Sequence, residues 1–228
     1  MERKHRIKSI DNLKAGKLMQ VHLVGFILSI TAGWINAVGI NLFLNESPAF
    51  MSGRGLILGY SAFKGDIETF LSVILVIISF TFGAYISAII TRKKGLGFSL
   101  VFVASLICLS AFPISLRNRI FDTIMISMAM GSQNAATSLT PINRTTHLTG
   151  PATDIGINMA KKKWNIVFFW LLRWISFPLG AVIGFNLVDL FNKEIISLSL
   201  TLFLPALIIL LIAFLQIKFL HIPLLDEQ

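Results

Sequence analysis

The sequence predicts an all-α, polytopic transmembrane helical bundle of about six spans, a 3+3 inverted repeat with two short reentrant or interfacial helices. Three observations predict it. The 228 residues are 55% hydrophobic and 14% charged, with positive mean hydropathy and several long uncharged runs, outside the soluble globular range. Similar residues recur at a spacing of about 97. Polar, helix-breaking clusters also fall at matching places, GWINAVGINLFLNESPAFMSGRGLILG from Gly33 to Gly59 and MGSQNAATSLTPINRTTHLTGPATDIG from Met130 to Gly156.

The chain divides into a basic tail (1–17), a first three-span repeat (18–115), a second (116–220) and a short C-terminal tail (221–228). Hydropathy places spans at Leu18 to Leu44, Ile67 to Ile90, Phe98 to Ser115, Ile120 to Ser138, Trp164 to Val188 and Ile195 to Leu220. At a rise of ~1.5 Å per residue each crosses a hydrocarbon core of ~30 Å, the third and fourth only just. The first is too long for a signal-peptide core and lacks an A-x-A-like exit, so it is expected as a retained, tilted or broken span. Pro178 and Pro205 are expected to kink the last two spans.

Basic residues orient the bundle. Arg3, Lys4, Arg6, Lys8, Lys14 and Lys17 precede span one, Arg92 to Lys94 follow span two, and Lys161 to Lys163 precede span five. With six crossings these fall on one side, and the positive-inside rule puts both termini in the cytoplasm. Arg117 and Arg119 sit on the other side and run against that trend. The net charge of +9 is thus concentrated at the edges of apolar runs, which marks topology and argues against nucleic-acid binding. The partners expected are the lipid bilayer and a small polar solute, and a homo-oligomer is compatible with the sequence.

The internal repeat extends over spans and loops alike. Gly33, Asn36 and Ala37 match Gly131, Asn134 and Ala135 at an offset of 98; Gly53 and Gly59 match Gly150 and Gly156 at 97. ISFTFGAYIS from Ile78 and ISFPLGAVIG from Ile175 agree at six of ten positions, again at 97. Three spans per unit require the second to enter the membrane from the opposite side, as in many secondary transporters.

Candidate site residues follow from polarity in an apolar setting. Asn36, Gln133 and Asn134 are amides that must find hydrogen-bond partners, either between helices or on a polar solute. Ser52-Gly53-Arg54 and Thr149-Gly150-Pro151 each precede a candidate short helix, Leu56 to Phe63 and Ala152 to Ala160, whose N-terminus would offer free N–H groups to an anion. Arg173 lies mid-span and needs a partner, Asp154 by preference and Glu68 or Asp122 otherwise. Gly83 and Gly180 lie in small-xxx-small faces expected to be packing seams. His5, His22, His147 and His221 show no metal spacing, Cys108 stands alone, and no nucleophile–base or paired-carboxylate arrangement is legible. The expectation is therefore no cofactor, no metal and no enzyme.

At these motifs the chain resembles the bacterial YoaK family of small inner-membrane proteins, also called DUF1275. That family pairs AG-x-x-DA and TGN elements with later MG-x-QNA and TG-x-x-TD-x-G elements. Met130 to Ala135 and Thr149 to Gly156 match the later pair closely. In the first half Asn36 stands where the family has Asp, and Ser52-Gly53-Arg54 where it has Thr-Gly-Asn. The resemblance implies the bacterial inner membrane and a transport role. The expectation is a permease in which the two half-helices, Asn36, Gln133, Asn134 and Arg173 line one central site; the competing class is a non-transporting scaffold or assembly protein, and a lipid-modifying enzyme using Asp154 or His147 stands behind both.

Overall fold

The computed structural model describes residues 6–7, 13–41, 47–112 and 119–225. Arg3, Lys4, Lys8, the predicted span ends at Leu44 and Ser115, and Arg117 lie outside the described residues. Eight α-helices follow in order: α1 (Ala15–Gly39), α2 (Met51–Lys64), α3 (Ile67–Lys94), α4 (Leu96–Ala111), α5 (Arg119–Ser138), α6 (Thr149–Ala160), α7 (Trp164–Asn192) and α8 (Leu198–Leu215), the last prolonged by a π turn (Gln216–Leu220). A two-residue parallel pairing of β1 (Arg6–Ile7) with β2 (Leu224–Leu225) joins the tails, which hydropathy alone does not foretell.

Local chemistry sets the helix ends. The Asp66 carboxylate accepts from the Thr69 N–H (3.1 Å) and opens α3, and Arg92 to Lys94 sit at its C-terminal end, where the helix dipole favours cations. Gly65, at φ +69°, ends α2 in the left-handed conformation that glycine adopts without strain. Helices α7 and α8 continue through Pro178 and Pro205.

Among the described residues four helices are long and apolar enough to cross a membrane: α1, α3, α7, and α8 with its π turn. Helix α4 is apolar but shorter, and α5 carries Asp122, Ser127, Ser132, Gln133 and Asn134. Packing explains that polarity. Helices α1 and α5 form the inner pair, with Ile35, Val38, Ile126, Met130 and Gln133 wholly buried, whereas α3 and α7 expose Ile78, Phe82, Phe168 and Val182. On the enclosed helices the amides of Asn36 and Gln133 find partners across the bundle.

Two crossings hold the bundle, and corresponding residues make both. On α1 and α7, a Cβ added to Gly33 would strike the Phe177 carbonyl and one added to Gly180 the Ile30 carbonyl. On α5 and α3, Gly131 meets the Phe80 carbonyl and Gly83 the Met128 carbonyl in the same way. Every residue of the first crossing maps to its counterpart in the second at the repeat offset. A further level agrees: Gly184 lies 2.6 Å, by its absent Cβ, from the Trp34 carbonyl, and Ser87 Oγ donates to the Ser132 carbonyl at 2.8 Å.

The same contacts fix direction. Residues 25, 33 and 34 of α1 meet 173, 177 and 184 of α7, so these two helices run parallel, as do α3 and α5. Helix α4 opposes α8, since Gly97 meets Ile217 while Phe112 meets Phe203. Helix α1 opposes both α8 (Trp34 Nε1 to the Thr201 carbonyl at 3.0 Å, Lys17 Nζ to the Leu220 carbonyl) and α5 (Gln133 to Leu28, Asn36 to Met130). Helices α1, α4 and α7 therefore point one way, and α3, α5 and α8 the other.

We expect Gly131→Ala and Gly180→Ala each to lose about 1–3 kcal/mol of stability, because the added methyl meets backbone that cannot step aside. Gly55→Ala, at a helix position with nothing within 4 Å, should be neutral or stabilising. Thermal unfolding in detergent checks both; equal midpoints for the three variants would show that these crossings do not carry the bundle.

Candidate functional site

After α1 the chain turns back along the helix it has just left. The Asn36 amide directs this return: its Oδ1 accepts from Ser47 Oγ and from the Ala49 N–H (3.1 Å), while its Nδ2 donates to the Ala32 carbonyl (2.7 Å) and contacts Met130 Sδ (3.6 Å). Helix α2 starts just beyond. After α5 the chain again returns, until Thr145 Oγ1 accepts from Gln133 Nε2 (3.1 Å) and approaches Thr137 Oγ1 (3.3 Å), and α6 starts from there.

The two returning segments meet around one cavity of about 290 Å³. Ser47 and Phe50 come from the first return, Thr146, His147, Leu148 and Thr149 from the second, and α1 and α7 supply Asn36, Ile40, Phe177 and Phe185. The wall is mostly apolar, and none of its lining residues is acidic. Thr146 is buried, and its hydroxyl has no hydrogen-bond partner. No side chain caps α6, and Pro151 in its first turn has no N–H, so the amides of Thr149 and Gly150 head the helix. Arg144 Nη1 and His147 Nε2 stand 3.6 and 3.9 Å from where a Gly150 Cβ would lie, which makes this end of the cavity electropositive. Burial and the neighbouring Arg144 charge hold His147 below its ordinary pKa.

Of the residues singled out from sequence as candidates for chemistry, Asn36, His147 and Thr149 line this cavity, and Gly150 lies beside it. The others take up different places. The short helices begin earlier than predicted, so Ser52, Gly53 and Arg54 form the first turn of α2, with Ser52 exposed, Arg54 buried, and the Phe50 ring lying where a Gly53 Cβ would be. Neither Ser52 nor Thr149 caps its helix, because each is already inside it. Gln133 is wholly buried and ties α5 to α1 through the Leu28 carbonyl (2.9 Å). Asn134, the counterpart of Asn36, keeps a buried Oδ1 without a partner.

Arg173 does not meet Asp154, the partner expected for it. Its guanidinium fills the space left by the missing side chain of Gly25, Nη2 donates to the Val21 carbonyl (3.0 Å), Cζ lies 4.9 Å from the Phe169 ring centroid, and Nη1 has no partner. The slot on α1 supplies a backbone carbonyl, and Phe169 one turn earlier on α7 an aromatic face, in place of a carboxylate. Glu68 is exposed at the start of α3, and Asp122 accepts from Ser110 Oγ at 2.9 Å.

Sequence reasoning did not find Gly25, Thr146 or the phenylalanines of the cavity. Gly25 carried a signal, lying two helical turns before Gly33 on the face that meets α7. Thr146 carried none, since nothing local distinguishes it from Thr145. Among the described residues no three His, Cys, Asp or Glu gather as a metal site requires.

The family described as protein of unknown function (DUF1275) matches residues 24–215, a stretch that takes in both crossings, both returns and the cavity. The chain belongs to the DUF1275 family. No curated protein and no solved structure matches it. The DUF1275 match covers α6 and its leading segment as fully as the spans, so the cavity is built from the family's own portion of the chain.

Two outcomes are expected of this DUF1275 protein. Gly25→Ala should lower the unfolding midpoint by driving the guanidinium from its slot, and adding Arg173→Ala should restore most of the loss; additive effects of the two changes would show that the residues are not coupled. Because the folded His147 pKa lies below its unfolded value, the unfolded chain binds the extra proton, and stability falls as pH drops from about 7 through the folded pKa. His147→Gln should flatten that part of a stability-versus-pH curve, and an unchanged slope would reject the assignment.

Proposed function

We propose that the chain is a six-span membrane permease that moves a small anionic solute by alternating access of two inverted repeats. One observation carries this reading: the two returning segments, which are counterparts in the two halves, meet at a single cavity beside the helix crossings. In membrane transporters, broken backbone at depth occurs where it lines a cavity, and helix N-termini there face anionic groups.

Helix direction supports six crossings. Helices α1, α3, α4, α5, α7 and α8 alternate in chain order, and α1 with its counterpart α5 points in opposite directions. The paired tails, and the bond from Lys17 Nζ to the Leu220 carbonyl, agree with an even number of passes. Arg92 to Lys94 and Lys161 to Lys163 end up at the level of the tails, which we take as the cytoplasmic side of a bacterial inner membrane. Helices α2 and α6 would then be reentrant half-helices entering from opposite sides.

A non-transporting assembly protein is the second reading, favoured by the fully engaged Asn36 amide, which serves the fold. A membrane-embedded enzyme has no comparable support.

In a Cys108→Ala background, single cysteines at Lys64 and Lys162, the ends of α2 and α6, should react with a membrane-impermeant maleimide from opposite faces of oriented vesicles. Labelling from one face would reject the inverted arrangement. Proteoliposomes should accumulate a radiolabelled organic anion down its gradient; opposite-face labelling without uptake across a broad panel would leave the assembly reading.

A further inference from the structure

The cavity has two kinds of lining. Phe50, Phe177, Phe185 and Ile40 give it an apolar chamber, and Thr146, His147 and Thr149 line it from the segment that leads into α6. Asn36 is spent on Ser47, Ala49 and Ala32, so it offers a bound molecule little. What remains is a set of donors: the buried Thr146 hydroxyl with no partner, the Thr149 hydroxyl, and the uncapped amides of Thr149 and Gly150, with Arg144 and His147 adjoining.

We propose that this cavity binds a small organic monocarboxylate with an aromatic or branched apolar body, its carboxylate on the α6 N-terminus and Thr146, its body among the three phenylalanines. The proposal rests on the permease reading for its purpose but on the cavity alone for its chemistry. A buried hydroxyl without a partner is a costly feature that a carboxylate oxygen removes by accepting its proton. The adjoining Arg144 guanidinium and the helix N-terminus disfavour an amine, and no acidic lining residue is present to receive one. An inorganic anion would satisfy the donors yet leave the phenylalanine chamber to water, whereas an apolar body fills it and gains ring-on-ring contact. A volume of about 290 Å³ suits a molecule the size of an amino acid.

The test uses the full-length protein in detergent, with phenylacetate as probe and binding read by calorimetry and by the shift in unfolding midpoint. Phenylacetate should bind at least about tenfold more tightly than acetate, than inorganic phosphate and than the uncharged 2-phenylethanol. Thr146→Val should weaken phenylacetate about tenfold while leaving the unliganded midpoint unchanged or higher, since it removes only an unpaired hydroxyl. Phe185→Ala should weaken phenylacetate but not acetate. Equal binding of 2-phenylethanol would overturn the carboxylate, equal binding of phosphate or acetate the apolar body, and preference for oleate the size. Should Thr146→Val fail to fold, the ligand series on the unaltered protein decides alone. Phenylacetate binding without vesicle uptake would sink transport and leave this site standing; uptake of phosphate without phenylacetate binding would do the reverse.

Discussion

Backbone touching backbone at two helix crossings is the constraint from which the rest of the molecule follows. Between helices in an apolar surrounding there is little hydrophobic drive to associate, and close packing must supply the attraction. Glycine permits it: at Gly33, Gly180, Gly131 and Gly83 a carbonyl of the opposing helix occupies the place of a side chain. Such seams draw α1 and α5 inward, which in turn shelters the amides and hydroxyls those helices carry.

Sheltered polar groups then divide into those that finish the fold and those left open. Asn36, Gln133, Ser87 and Ser132 bond across helices or to returning chain, and each bond pins a place where the backbone would otherwise wander. Ser29 and Ser127, counterparts on the inner pair, are buried with hydroxyls unpartnered, as are the Asn134 oxygen and Thr146. Of these, Thr146 belongs to the wall of the cavity, beside a helix start with no cap. Structural and binding chemistry are thus separable here by asking which donors are already engaged.

Much of the architecture was legible beforehand, and the reason is periodic. Apolar runs of spanning length, basic edges and a fixed offset are properties of the chain that tertiary structure does not revise, so α3, α5 and α7 begin within a residue of their predicted starts. Glycines at the repeat offset announced the seams. Contacts that depend on shape were not legible. Arg173 was assigned a carboxylate because charge is visible in a sequence, whereas the gap over Gly25 is not. Ser52 and Thr149 read as preceding their short helices because hydroxyls before an apolar run usually cap, but both helices reach about one turn further. The gathering of Asn36, Gln133, Asn134 and Arg173 into one site failed because Gln133 and Arg173 face other seams.

Arg173 also marks where the halves diverge. Its counterpart at the repeat offset is Val76, and that of Gly25 is Thr123. The α1–α7 crossing holds a guanidinium lodged over a bare backbone, whereas the corresponding positions on α3 and α5 carry an aliphatic and a β-branched side chain. A chain assembled from two first halves would keep the notch and lose the cation, and one assembled from two second halves would keep the cation and put a threonine in place of the notch. The two halves are consequently not interchangeable, however closely the residues of their crossings correspond.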